Sequence, residues 1–202
     1  MKRSILISAT LAISSIAFAA DGDDAMLGFK WGMSVQDVKA AGSRLEKKDT
    51  NRSLEIYEVS SVPKPLSDFE IYMLIFADGK LVKISAVGND ISGDPTGIKG
   101  KEQFKVLENT MKEKYGDPKH SYKRIGSKLY KEYDEFYQCL AYDGCGTWAS
   151  IFETKDKSVV LEMNGVRRGT GYLRIVAESK PQWSNAIEKH KTKKASSDKD
   201  AL

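Results

Sequence analysis

The dipeptide Asp78-Gly79 stands between two apolar runs, residues 69–76 (FEIYMLIF) and 81–87 (LVKISAV). Asp-Gly tolerates the positive φ angles of a type I′ turn, whose twist matches that of paired antiparallel strands. A chain carrying this combination must fold part of itself as an antiparallel hairpin. Residues 54–59 (LEIYEV) alternate with period two and predict another strand of the same meander.

Helical signals flank the strands. Ser34 stands where an N-cap belongs, with Asp37 three residues on in capping-box position. Val35, Val38 and Ala41 supply an apolar stripe, Gly42 a stop, and Phe29 and Trp31 are expected to pack underneath. Residues 28–90 therefore predict one α+β unit. A turn-rich stretch (GNDISGDPTGIKG, 88–100) separates it from a second series. Residues 101–115 predict a helix with Phe104, Leu107, Met111 and Tyr115 on one face, stopped by Gly116-Asp117-Pro118. The spacing of Leu129, Tyr133, Phe136 and Leu140 predicts a further helix over 128–140, and 147–152, 158–163 and 172–178 read as strands. The expectation is an α+β protein of two tandem units, 28–90 and 98–180. Each would be a helix, or helix pair, followed by an antiparallel β-meander with its own sheet. Residues 181–202 predict a helix that runs into a disordered, lysine-rich tail.

The N-terminus sets the compartment. Lys2 and Arg3 precede an uncharged apolar run (4–18), and Ala17-Phe18-Ala19 gives the small-x-small pattern of a signal-peptidase site. Residues 1–19 are read as a cleaved signal peptide, and the mature protein as periplasmic. The run is about 15 residues long and holds several Ser and Thr, short of the roughly 20 apolar residues of a spanning helix. No cysteine stands at the cleavage site, so no stable membrane anchor is expected.

Of 202 residues, 32 are basic and 28 acidic, and two of the basic ones lie in the signal. The mature chain is close to neutral, which does not suggest a nucleic-acid partner. Cys139 and Cys145 have five residues between them. In an oxidising compartment such a pair predicts a disulfide that fixes the loop Leu140-Ala141-Tyr142-Asp143-Gly144. Metal binding would need more ligands than lie nearby, and a redox pair would normally be spaced C-x-x-C.

The phrase Phe29-Lys30-Trp31-Gly32-Met33-Ser34, followed by Val35-Gln36-Asp37-Val38-Lys39, resembles the opening of small envelope domains of the BamE (SmpA/OmlA) type and of β-lactamase-inhibitor-protein-like domains. Tyr115-Gly116-Asp117-Pro118 is similar to the G-x-P that ends a helix in the same families. The resemblance implies helices packed on an antiparallel sheet, and work by protein–protein contact without catalytic residues.

Catalytic constellations are missing from the sequence. His120 follows a helix stop and His190 lies in the charged tail, which disfavours Ser-His-Asp and Cys-His catalysis. No zincin, nucleophile-elbow or Walker pattern occurs. Gly165, Gly169 and Gly171 read as a hairpin loop, and Asn89, Asp90 and Asp94 lack calcium-loop spacing. Glu132, Asp134 and Glu135 read as a solvated face. The expectation is a chain that is not an enzyme, with no cofactor and no metal.

Binding residues are more legible. Tyr133, Tyr137, Tyr142 and Trp148 cluster around the cysteines, and Tyr and Trp are favoured at binding hot spots. Tyr142, Asp143 and Trp148, with Arg167 and Arg168 at a hairpin tip, are the candidate partner-binding residues. The function expected is a non-enzymatic periplasmic protein-binding module, with an inhibitor or immunity protein against an envelope-acting or secreted enzyme or toxin as the form that fits. The alternatives are a binding protein for a small ligand or envelope polymer and, third, a hydrolase. The oligomeric state is left open.

Overall fold

Ser34 caps the first helix as its sequence dictates. Its hydroxyl accepts from the Asp37 amide at 3.1 Å, and the Asp37 carboxylate accepts from the Ser34 amide at 2.7 Å. In the computed structural model, which describes residues 24–51, 53–127 and 129–201, this short helix α1 spans Val35–Ala40. The signal segment 1–19 lies outside the described residues. Then come strands β1 (Leu45–Asn51), β2 (Leu54–Val59), β3 (Phe69–Ala77) and β4 (Lys80–Gly88). The order continues with α2 (Ile98–Tyr115), β5 (His120–Arg124), α3 (Phe136–Ala141), β6 (Thr147–Glu153), β7 (Lys157–Arg167), β8 (Thr170–Ser179) and α4 (Lys180–Ala201).

All eight strands belong to one antiparallel sheet of order β1-β2-β3-β4-β8-β7-β6-β5. This corrects the expectation of two tandem units, each with its own sheet. The join is β4 against β8, with Ile84 opposite Ala177 and Ala86 opposite Ile175. The reason lies in composition. Leu81, Val82, Ile84, Ala86, Leu173, Ile175 and Ala177 are all buried, so either strand left as an edge would expose a long apolar ribbon. Pairing the two removes both hazards.

The second half departs from helix-then-meander in another respect. Strand β5 precedes α3, and residues 128–140 are not one helix. Tyr130 has φ +53°, in the left-handed region that interrupts a right-handed helix, and only Phe136–Ala141 is helical. Leu129 and Tyr133, whose spacing suggests the longer helix, are exposed. The long loop inferred over 165–171 is mostly strand, with Gly165 opposite Gly171 and Arg167 opposite Thr170, and it turns at Arg168-Gly169. Helix α4 continues to Ala201 through the charged stretch expected to be a tail.

Alternation along the strands sorts side chains between two faces. Tyr72, Leu74, Phe76, Leu81, Ile84, Leu161, Met163 and Ile175 point to one face. There they form the main core with Phe29, Trp31, Val38 of α1, Phe104 and Met111 of α2, and Phe136 and Tyr137 of α3. On the other face Ile75, Ala77 and Val82 meet Trp183 and Ala186 of α4 in a smaller cluster. Lys83 lies 4.5 Å from the Trp183 ring centroid and salt-bridges Glu178 at 2.7 Å. The rest of this second face, towards β5, carries no helix among the described residues.

A buried charge pins α2 to the sheet. Glu108 is buried, and its carboxylate accepts from Lys123 Nζ of β5 at 2.8 and 2.9 Å and from the Ser150 hydroxyl of β6. Burial pushes the Glu108 carboxyl up, but the hydrogen bonds from Lys123 and Ser150 outweigh it, and the net direction is down. A carboxyl held below its unfolded value contributes stability above the ordinary Glu range, and that contribution is lost as pH falls through the folded value. Glu108→Gln is expected to cost about 1–2 kcal/mol at pH 7. The cost should shrink towards zero in acid below pH 4.5, the ordinary value. Urea unfolding of both proteins at pH 7 and in acid checks this, and an equal loss at both pH values would sink it.

Candidate functional site

Four glycines make the seat on which the site is built. A Cβ on Gly165 would lie 1.8 Å from the Tyr137 carbonyl oxygen, and one on Gly171 2.2 Å from the Tyr137 ring. A Cβ on Gly100 would meet the Tyr137 hydroxyl at 2.2 Å, and one on Gly97 the Phe136 ring at 2.2 Å. Glycine in a strand interior marks such a close approach. Here α3 presses its backbone onto β7 and its two aromatic rings into the gaps left by missing side chains.

Polar contacts fix the orientation. The Tyr137 hydroxyl donates to Asp94 Oδ2 at 2.9 Å, and the same oxygen accepts from the Gly100 amide at 3.0 Å. Burial raises the Tyr137 phenol, and the Asp94 carboxylate raises it further, so it stays a donor. Asp94 is buried with these partners and is spent on structure. Among the described residues no group of three or more His, Cys, Asp or Glu is placed to hold a metal. Lys101 completes the seat, 4.2 Å from the Phe136 centroid and 5.4 Å from that of Trp148, with Nζ donating to Thr96 O at 3.0 Å. Burial draws the Lys101 ammonium below its ordinary range, against the attraction of Asp94.

Cys139 at the end of this helix is disulfide-bonded to Cys145, with Cα atoms 5.1 Å apart, and both are buried. Such a bond is compatible with an oxidising compartment. Around it the backbone is closed by the Tyr142 amide to Gln138 O at 3.1 Å and the Cys145 amide to Tyr142 O at 3.0 Å. The Gly126 amide donates to Cys139 Sγ at 3.1 Å and the Ser127 amide to Cys145 O at 2.9 Å. The loop is thereby held from inside and from the β5 side.

Outside this frame lies an exposed aromatic and basic patch. Tyr142 is 45 % exposed and makes an edge contact with Tyr130, ring centroids 6.0 Å apart. Val166, 51 % exposed, and Arg167 reach the same place from the β7–β8 turn. Tyr130, Gln138, Ala141, Tyr142, Val166 and Arg167 line a shallow cleft of about 210 Å³. Arg168 salt-bridges Asp134, tying the turn to the loop before α3, and Arg167 Nε lies 3.5 Å from the Thr170 hydroxyl. Tyr133, 78 % exposed, and Leu129 are the other large exposed hydrophobic side chains of that loop.

The patch joins Tyr142, Arg167 and Arg168, three of the five residues proposed from sequence. Asp143 is exposed on the same disulfide loop. Trp148 is not part of it. It is partly buried against the main core, its ring 5.4 Å from that of Phe136, and its indole nitrogen is enclosed. Sequence reasoning missed Tyr130 and Val166. The available signal was the glycine pair Gly165 and Gly171, which announces that something packs flush against the hairpin. No helix among the described residues is long and apolar enough to cross a membrane. No protein-family model, curated protein or solved structure matches this chain, so the chemistry of the patch itself carries the functional reading.

Proposed function

We propose that the chain is a non-enzymatic protein-binding module of the bacterial periplasm, an inhibitor or immunity protein for an envelope-acting or secreted enzyme. The observation that supports this is a patch rich in Tyr and Arg, exposed on a backbone already rigid. Tyr130, Tyr142 and Arg167 are residue types that dominate interface energetics, and the disulfide and glycine seat hold two of them before a partner arrives. The patch offers anchors for a surface and no reactive group poised against a base.

Affinity capture from envelope extract should recover one stoichiometric partner. Joint Tyr142→Ala and Arg167→Ala substitution should weaken its binding at least about tenfold while leaving the thermal midpoint unchanged. Absence of a partner, or capture indifferent to both substitutions, sinks the reading.

A second reading rests on one feature. A cleft of about 560 Å³ lies between α2 and the loops flanking β3 and β4, with Phe69, Ile91, Leu107 and Leu173 below and Asp68, Lys99 and Glu102 at its rim. Its size suits a small ligand. A ligand that raises the thermal midpoint in a metabolite screen, with Leu107→Trp abolishing the shift, would favour that reading over the first.

A further inference from the structure

The two edges of the sheet differ. Strand β1 is blunted: its register slips between Lys47 and Asp49, and Lys48 bridges Glu46 and Glu58 at 3.0 and 3.1 Å. A bulge and dense charge are the ordinary means by which proteins stop an edge from pairing. Strand β5 has no bulge, and the charge on it and just before it is of one sign, from Lys119, Lys123 and Arg124. It pairs with β6 through five consecutive positions without a slip, and all five of its residues are exposed. Residues 118–127 (PKHSYKRIGS) contain no acidic side chain.

We propose that the edge of β5, unpaired among the described residues, receives an extended acidic segment of a protein partner, added as a ninth strand of the sheet. This rests on the protein-binding reading and names how a partner would dock. Alternation places His120, Tyr122 and Arg124 on the open face, opposite Ile151, Ala149 and Thr147 of β6. Tyr122 is 44 % exposed, and His120 stacks beside it with ring centroids 6.3 Å apart. On the other face Lys123 is committed to Glu108, while Lys119 just before the strand pairs with Glu153 at 2.9 Å. Among the described residues Arg124 makes no salt bridge.

A strand laid along this edge sets its own residues opposite His120, Tyr122 and Arg124. The complementary pattern is acid-x-apolar-x-acid: an acid opposite Arg124 makes a charge pair, an acid opposite His120 can accept from a ring N–H, and aromatic–aliphatic pairs stabilise across strands. The pattern reads the same in both directions, so it holds for parallel or antiparallel addition. A second copy of this chain is the wrong occupant. Parallel self-pairing sets Arg124 against Arg124, and like charges opposite one another are destabilising; antiparallel self-pairing about Tyr122 sets Arg124 against His120 and supplies no acid to either arginine. The edge also continues into Gly126 and Ser127, which are bonded to the disulfide loop, so a strand on β5 leads towards Tyr130 and Tyr142. Main-chain pairing would supply affinity, and the patch would supply contacts at its end.

The test uses a labelled nine-residue peptide with a Glu-Thr-Val-Thr-Glu core, its Lys-Thr-Val-Thr-Lys counterpart, and the acidic peptide with proline at both Thr positions. They are titrated by fluorescence anisotropy into the full mature chain, with amide exchange as the map. The acidic peptide should bind saturably and protect amides within residues 120–124, and the lysine and proline peptides should not bind. Arg124→Glu, at an exposed position that leaves folding intact, should weaken the acidic peptide about tenfold and confer binding of the lysine peptide. No saturable binding, equal binding of both charge types, protection elsewhere, indifference to Arg124→Glu, or a dimer of the chain held through β5 would each overturn the proposal. The capture experiment with Tyr142 and Arg167 tests the protein-binding reading separately, since the peptides carry no residue for that patch.

Discussion

Gly165→Ala is expected to destabilise the protein by about 3 kcal/mol, far beyond the usual cost of an added methyl on a strand. The new Cβ would stand 1.8 Å from the Tyr137 carbonyl oxygen and 2.8 Å from the Ala141 amide nitrogen. Both obstacles are backbone atoms of α3, so no rotamer change relieves them. The helix cannot simply lift, because Tyr137 lies against Gly171 on one side and Gly100 on another. Lifting would also break its bond to Asp94 and expose two rings that are fully buried. Gly79→Ala is the control. A Cβ there meets nothing within 4 Å, and the penalty is only that of φ +72°, about 1 kcal/mol. Urea unfolding midpoints compare the two, and a Gly165→Ala cost no greater than the Gly79→Ala cost would show that α3 is not seated on β7 as described.

This seat also shows where sequence reading loses its grip. The inner strands were legible because their apolar periodicity is a local signal, as in Leu54–Val59 and in the run ending at Asp78-Gly79. Ser34 and Asp37 were legible for the same reason, since a capping box is complete within four residues. Both strands absent from the sequence reading, Leu45–Asn51 and His120–Arg124, are the edges of the sheet. An edge is largely exposed and can be charged throughout, so it carries little apolar alternation to detect. The joining of β4 to β8 was hidden for a different reason. Its partners are about ninety residues apart, and burial on both sides reads the same in one sheet as in two. At the candidate site the disulfide was legible from the spacing of Cys139 and Cys145. Trp148 was misplaced outward because neighbours in sequence alternate between faces, and its face is the one that carries α3.

Cys139→Ser with Cys145→Ser is expected to cost about 2 kcal/mol of global stability, the chain-entropy value for so short a loop, and to loosen one stretch of the native fold. Helix α3 keeps the contacts of Phe136 and Tyr137 in the glycine seat, which precede the disulfide and do not depend on it. What loosens is the stretch from Leu140 to Gly146, together with Gly126 and Ser127, whose amides are bonded to Cys139 and Cys145. Amide exchange should therefore rise most at 126–127 and 140–146, beyond the uniform rise in β2, β3 and β4 that the lower global stability brings. Tyr142 would then have to be ordered on binding, at roughly 0.5–1.5 kcal/mol for each immobilised side chain, which predicts several-fold weaker capture of the proposed partner. The same loop follows β5, so affinity for the acidic peptide should fall less than affinity for the whole partner. Global unfolding of the double variant would mean that the disulfide, and not the glycine seat, holds α3 on the sheet. Unchanged exchange in 140–146 would mean that the staple adds no rigidity to the patch, and the preorganisation that supports a binding role would be lost with it.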